Sequence, residues 1–435
     1  MPVTPPLTRQ FARIFYGWWI VLSTSIICLL GFGTWLYSFG VFLKPMCGEF
    51  GWTRAMTAGA YSLRSIEGGV ASPVVGWAVD RYGARVVIII GAVISGLGFA
   101  LMFFVESLLG FYVVYGVVLS IGMSAMLYIP AWTVIAKWFS RRLSLALGVL
   151  AVGAGLGGLV CAPAVAWLII NYGWRAAFVV LGVTVWVVVI PLALVVRDRP
   201  EDKGLSPYGL PAAPSPEAQP SGSAPHEKQA PERQGAVDFT LRQALSTSAF
   251  WLLAAAFFCQ GVAHSVVTVH TVPALTDAGI SMEKAAFCMG FLTLVSIVGR
   301  LGFGYLGDYV TKRYLFMVSY GLMGSGLLVL MHAGDMAAVY FFVALFGVGF
   351  GGMVPLMPAI RTEYFGRRAI GKIQGFMNPV MMIAGAAGPI LAGHLFDTTG
   401  TYRTSFLFTG LLMFVAIVVI FFARPAHLLP TKMGE

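Results

Sequence analysis

Five ionisable residues, Lys44, Arg64, Glu67, His270 and Arg300, stand inside or at the ends of long apolar runs in this 435-residue chain. A charge in an apolar setting is costly, so each such group must be partnered or must do work. Arg300 lies in SIVGRLGFGYLGD, about 12 Å from Asp308 along a helix. Its guanidinium is a planar fork that fits a carboxylate with two parallel hydrogen bonds; the other use is an ion pair between helices. Arg64 and Glu67 are three residues apart and share a helix face. Glu67 lies roughly 20 Å along that helix from Asp80. The two form either a structural ion pair or a proton-linked switch. His270 precedes Pro273, where an interfacial turn is the plain alternative, and His264 is a weaker candidate. Lys44, expected to end its helix, reads equally as a snorkelling anchor. Tyr37, Tyr128 and Asn378 are polar groups in apolar runs, with packing as the alternative.

Other chemistry is missing from the pattern. GAGLGG at 153–158 has glycine-loop spacing, but no strand precedes it and no acidic residue follows at the right distance; close helix packing explains it. No paired catalytic carboxylates or nucleophile elbow occurs. The five cysteines (Cys28, Cys47, Cys161, Cys259, Cys288) are scattered, with no CxxC and no Cys/His cluster. No catalytic residue, metal site or cofactor is therefore expected.

The elements that must position these residues follow from composition. The chain is 58% hydrophobic and 11% charged, less than half the charge of a soluble domain, with a mean hydropathy of +0.83. Lipid is the solvent this implies, and the net charge of +10 fits basic cytoplasmic loops better than nucleic acid. Twelve apolar segments are expected at 16–43, 54–79, 86–105, 109–137, 144–170, 175–196, 248–275, 284–307, 314–332, 337–360, 370–396 and 402–423. The basic N-terminus leads into an apolar run too long for a signal-peptide core, so a retained first helix is expected. Residues 197–237, rich in Pro, Ala, Ser and charge, read as a disordered tether, and DFTLRQAL (238–245) as a short surface helix. The resulting division is 1–196, a linker at 197–246, and 247–435.

The two halves repeat. GWAVDRYGAR (76–85) is echoed by GYLGDYVTKR (304–313), WFSRR (138–142) by YFGRR (364–368), Pro163 by Pro389 and GWRAAF (173–178) by TYRTSF (401–406). All offsets fall between 226 and 228, and several weak matches at one offset reinforce each other. With six spans per half, both termini and the linker share one side. All but seven of the 28 Lys and Arg lie on that side; the exceptions are Lys44, Arg54, Arg64, Arg175, Lys284, Arg300 and Arg403. That side is cytoplasmic by the positive-inside rule.

On these motifs the chain resembles the major facilitator superfamily. GWAVDRYGAR matches its signature loop G-x-x-x-D-R-x-G-x-R, and GYLGDYVTKR the degraded second copy. The resemblance implies that Gly76, Asp80, Arg81, Gly83, Arg85 and Asp308 form a conformational latch, with an acidic group near a helix N-terminus and charge-assisted bonds from Arg81 and Arg85. Gly76 would permit close helix approach and Gly83 a tight turn. YGWWIVL (16–22), YSFGVFLKPMCGEFGWTRA (37–55), HTVPALTDAGISMEKA (270–285) and PEDKGLSPYG (200–209) resemble the bacterial monocarboxylate and oxalate–formate branch. That likeness implies that Arg300 binds a substrate carboxylate, that His270 joins it, and that Lys44 attracts the anion. Ser296 departs from the Asp that animal members carry one turn before the arginine, leaving Glu67 as the substitute for proton coupling. Lys372 stands at the cytoplasmic start of helix 11 and Asn378 at its centre, where oxalate carriers have a lysine; this disfavours a dianion.

The expectation is therefore an all-α membrane protein with twelve transmembrane helices in two six-helix pseudo-symmetric bundles. It would carry a small organic monocarboxylate with a proton across a bacterial inner membrane by alternating access, as a monomer with both termini cytoplasmic. Substrate contacts would come from Arg300, His270, Lys44, Tyr128 and Asn378, between the halves, and proton coupling from Glu67 and Arg64. The rival readings are uptake of a larger neutral or weakly acidic molecule, such as a vitamin or aromatic compound, and a transporter-like sensor, for which no output domain is visible.

Overall fold

The computed structural model describes residues 15–139, 142–206, 208, 239–307, 309–366 and 370–425. Most of the expected tether and Asp308 lie outside the described residues. Among the described residues, ten helical stretches are long and apolar enough to cross a membrane. Two adjustments bring the rods to twelve. The 29-residue helix Arg54–Tyr82 is less apolar because it carries Arg64, Glu67 and the signature loop's first residues. The stretch Leu145–Val195 is one run of 51 residues, but Gly173 at φ +81° breaks it into two rods.

In chain order these are α1 (Tyr16–Phe50), α2 (Arg54–Tyr82), α3 (Ala84–Phe104), α4 (Leu108–Trp138), α5 (143–172), α6 (174–195), α7 (Ser248–Asp277), α8 (Met282–Leu306), α9 (Lys312–Leu330), α10 (Met336–Phe365), α11 (Ile370–Thr399) and α12 (Arg403–Phe422). The short helix expected after the linker is present as Leu241–Leu245. It is started by a capping box in which Thr240 and Gln243 satisfy each other's backbone N–H.

Sequence explains the main irregularities. α1 runs past Pro45 to Phe50, seven residues beyond the expected end. Proline removes one N–H donor, yet the chain stays helical until Gly51, whose φ of +67° closes it in the left-handed conformation. Lys44 is therefore inside α1, not at its end. α1 contains a wide π-helical segment, Phe32–Tyr37, and α4 another, Tyr112–Leu119. α4 also breaks at Leu127 (φ −95°, ψ −119°), where Pro130 cannot donate to the carbonyl of Met126.

The helices cluster into two compact units. One comprises Met1–Ala212 and Thr268–Thr293, the other Ala213–Val267 and Leu294–Glu435. Within the first, α1 and α5 meet backbone to backbone. A methyl on Gly153 would sit 2.6 Å from the Ser25 carbonyl oxygen, one on Gly157 would strike that of Leu29, and one on Gly33 would sit 2.6 Å from that of Gly157. The GAGLGG run thus builds a helix seam. In the second unit α8 and α10 meet similarly, with Gly351 against the Ser296 carbonyl and Gly299 against that of Val348.

The repeat is visible in backbone and hydrogen bonds. Gly51 and Gly279, 228 positions apart, both have positive φ after the first helix of their halves, and Gly173 and Gly400, 227 apart, do so before the sixth. Trp138 Nε1 donates to the Arg197 carbonyl at 2.8 Å. Tyr364 Oη, 226 positions later, donates to the Ala423 carbonyl at 2.7 Å, also 226 later.

Candidate functional site

The signature loop is organised by a residue that the motif does not contain. α2 ends in Asp80, Arg81 and Tyr82, all exposed. Gly83 follows at φ +86° and α3 starts at Ala84, so the first N–H groups of α3 need an acceptor. Asp198, just beyond α6, supplies it: its Oδ1 accepts from the Arg85 backbone N–H at 3.2 Å. A β-carbon on Gly83 would lie 2.6 Å from the Asp198 carboxyl carbon, so glycine is required by both its φ and this contact. The acid that serves the N-terminus of α3 is thus Asp198. Among the described residues, Asp80 and Arg81 form no side-chain hydrogen bond or ion pair. A methyl on Gly76 would meet nothing within 4 Å, so close approach does not explain that glycine.

Arg64 and Glu67 do share a face of α2, but they turn to different partners. The Arg64 guanidinium lies over the Tyr61 ring, 4.0 Å from its centroid, and over the Trp35 ring at 4.4 Å. Glu67 Oε2 accepts from the Ser124 hydroxyl at 3.2 Å. No ion pair joins the two; aromatic faces hold the cation and α4 holds the carboxylate. Tyr115 stands behind this cluster and donates to the Trp35 carbonyl at 2.8 Å. Trp35, Tyr61 and Tyr115 carried no site role in the sequence reading; only an aromatic one turn before Arg64 hinted at them.

At the far end of α1 the first unit holds a charge cluster. Asp277, closing α7, accepts Lys44 Nζ at 2.9 Å and Arg54 Nη1 at 2.6 Å on its two oxygens. Close by in sequence, Glu49 pairs with Arg175 and accepts from Trp174 Nε1 at 2.5 Å. Lys44 therefore has a protein carboxylate as its partner. Asp277 went unremarked in the sequence because helix-end acids are common; only the fold brings it to two cations. α1 and α7 can meet here because Gly40 lacks a side chain, and a β-carbon on it would sit 2.8 Å from the Val269 carbonyl.

The remaining candidates lie on four helices. His270 is fully buried in α7 and belongs to the first unit, whereas Arg300 belongs to the second. Arg300 is half-buried on α8, with its Nε atom wholly buried. Tyr128 begins the second piece of α4 after the Leu127 break and packs against Phe32 at 4.6 Å. Asn378 is exposed on α11 just before Pro379. In the second unit the ring of the weaker candidate His264 stacks on Phe350 at 4.4 Å and 4°. Arg361, which the sequence did not single out, is buried with its guanidinium 5.0 Å from the Phe257 ring centroid.

A helical membrane protein with a duplicated six-helix plan, glycine seams and intramembrane charges defines a solute carrier. Comparison with known proteins agrees. The sequence model of the Major Facilitator Superfamily matches residues 23–388 and 302–434, and the chain belongs to that family. Human monocarboxylate transporter 12 is 28% identical over 419 residues, covering 94% of this chain and 80% of that protein. Human monocarboxylate transporter 11 is 28% identical, covering 92% and 81%. Among solved structures, a bacterial homologue of the human lysosomal transporter Spinster, inward-facing and unoccupied, superposes with a TM-score of 0.71 at 18% identity, covering 94% of this chain and 97% of that one. A nucleoside transporter, NupG, gives 0.70 at 12% identity, covering 93% and 99%. The chain is thus a multi-pass membrane transporter and not an enzyme.

Proposed function

We propose that this transporter carries a small organic monocarboxylate together with a proton, by alternating access, as a monomer in a bacterial inner membrane with both termini cytoplasmic. The observation that carries the reading is Arg300, a guanidinium with a buried Nε on α8, six residues before that helix ends at Leu306. Its planar donors match a carboxylate, and relatives similar over most of the chain bear the name monocarboxylate transporter. Glu67, deep in α2 and held by Ser124, is the carboxylate suited to carry the proton. The Asp277 cluster, with one acid between two cations, leaves a net positive end that would draw anions toward Lys44.

The test is binding and uptake of carboxylates by purified wild-type, Arg300→Lys and Arg300→Ala protein, each checked for folding. Loss of a buried charge-assisted pair should cost about 2–5 kcal/mol, roughly 30-fold or more in affinity, and lysine should not restore it. Proton coupling is read in proteoliposomes as acidification of the lumen accompanying uptake, abolished in Glu67→Gln. Equal carboxylate affinity in all three Arg300 proteins would overturn the anchor and favour a neutral substrate.

A further inference from the structure

The division into compact units cuts through two continuous helices. α7 is parted between Val267 and Thr268 and α8 between Thr293 and Leu294, so residues 268–293 cluster with the first unit and the remainder of both helices with the second. By the sequence repeat, 268–293 belongs to the second half of the chain, yet its neighbours come from the first. The segment is a hairpin with a stiff turn. α7 closes in a Schellman motif: the Ile280 N–H donates to the Leu275 carbonyl at 3.0 Å and the Gly279 N–H to that of Thr276 at 3.3 Å, with Gly279 at φ +89°. Ser281 then starts α8 at once, its Oγ accepting from the Lys284 N–H at 3.4 Å. The end of α7 and the beginning of α8 are therefore one body.

This hairpin lies on α1 and α5 through glycines. A β-carbon on Gly40 of α1 would sit 2.8 Å from the Val269 carbonyl oxygen, and one on Gly290 of α8 would sit 2.6 Å from the Leu159 Cα and 2.8 Å from the Gly158 carbonyl oxygen of α5. Backbone rests on backbone at both places, so no rotamer has to change for the surfaces to part. The polar hold is at the tip. Asp277 takes Lys44 of α1 at 2.9 Å and Arg54 of α2 at 2.6 Å, and all three side chains are partly exposed, so water and salt compete with the pairs. We propose that the hairpin 268–293 is a separable clamp on the side of the carrier opposite the linker, leaving α1 and α5 when that side opens, and that Asp277 sets how readily it leaves. The inference rests on the alternating-access reading above and names the piece of the fold that moves and the residue that holds it.

The experiment reads exposure of the clamped face by thiol labelling of the full chain in nanodiscs. Val269→Cys puts a thiol where the native side chain is wholly buried. Cys47→Ser clears the background, since the other four cysteines are buried. Labelling by a charged methanethiosulfonate should be slow in this protein. Adding Asp277→Asn should speed it about 2- to 30-fold, the range expected for losing two partly exposed ion pairs, and Asp277→Glu should keep it slow. Salt at 1 M should speed the parent protein toward the Asp277→Asn rate and change that variant little. Separately, Lys44→Cys and Asp277→Cys joined by a short reducible bis-thiosulfonate should stop transport in proteoliposomes, and reductant should restore it. Labelling that ignores both Asp277→Asn and salt overturns the clamp. So does fast labelling in every protein, or full-rate transport by the cross-linked carrier. Labelling needs no solute, so the two readings fail separately. If it responds as expected and no carboxylate is taken up, the monocarboxylate reading falls and the clamp stands. If carboxylates are taken up and labelling does not respond, the clamp falls alone.

Discussion

At the scale of single residues, the decisive contacts are made by acids to which the sequence assigned no role. Asp198 caps α3 from 113 residues away, and losing a helix N-cap acceptor costs about 0.5–2 kcal/mol. Asp198→Ala should therefore lower the thermal midpoint of the purified protein. Gly83→Ala should lower it further, since its φ of +86° and the Asp198 contact both penalise a side chain. The double variant should be less destabilised than the sum of the two, because the clash disappears with Asp198; strict additivity would mean the contact is unimportant. Asp277→Asn should separate Lys44 and Arg54 from their shared partner. These pairs are partly exposed, so each is worth about 1 kcal/mol or less. The difference in thermal midpoint between wild type and variant should shrink in 1 M salt, which screens such pairs. The sequence displayed the signature loop plainly, but a cap donated across the fold leaves no local spacing to read. Likewise it was legible that Arg64 and Glu67 share one helix face. Their separation was not, because Trp35 and Ser124 come from other helices.

At the scale of elements, glycine seams set how the helices meet. The α1–α5 seam has the Gly157 position pressed against the Leu29 carbonyl, and backbone cannot retreat as a flexible side chain can. Gly157→Leu should overpack it by about 1–3 kcal/mol or more, visible as a lower thermal midpoint. By contrast Gly148→Leu, where a methyl meets nothing within 4 Å, should be tolerated. Helix positions were readable from apolar run lengths because lipid forces every backbone group into helix. Helix ends were less so. The first segment was expected to end at 43, but the one hydrogen bond missing at Pro45 does not end a helix that continues to a left-handed glycine. The π segments left no mark in the sequence, since they depend on how neighbouring rods accommodate an extra residue.

At the scale of the molecule, the duplication read from four sequence matches returns as matched positive-φ glycines and as the Trp138 and Tyr364 hydrogen bonds. The proposed topology, with an even number of rods, has both chain ends on the cytoplasmic side. Fused after Pro425, green fluorescent protein should fluoresce and alkaline phosphatase should be inactive in a bacterial host. The opposite pair of results would reverse the topology argued from Lys and Arg placement. The compact units could not be foreseen from the repeat, because residues 268–293 of the second half cluster with the first unit through contacts such as Gly40 against Val269.

The wide turn Phe32–Tyr37 in α1 has a geometric outcome of its own. A residue accounts for about 100° of rotation in an α-helix, so a turn that accommodates one extra residue resets the angular phase of all that follows. Below it α1 shows Ser25 and Leu29 to α5; above it the same rod shows Gly40 to α7 and Lys44 to Asp277. Excising one residue between 32 and 37 would straighten the spiral and swing the upper half of α1 by that angle. Gly40 and Lys44 would then be carried away from α7 with every side chain between them intact.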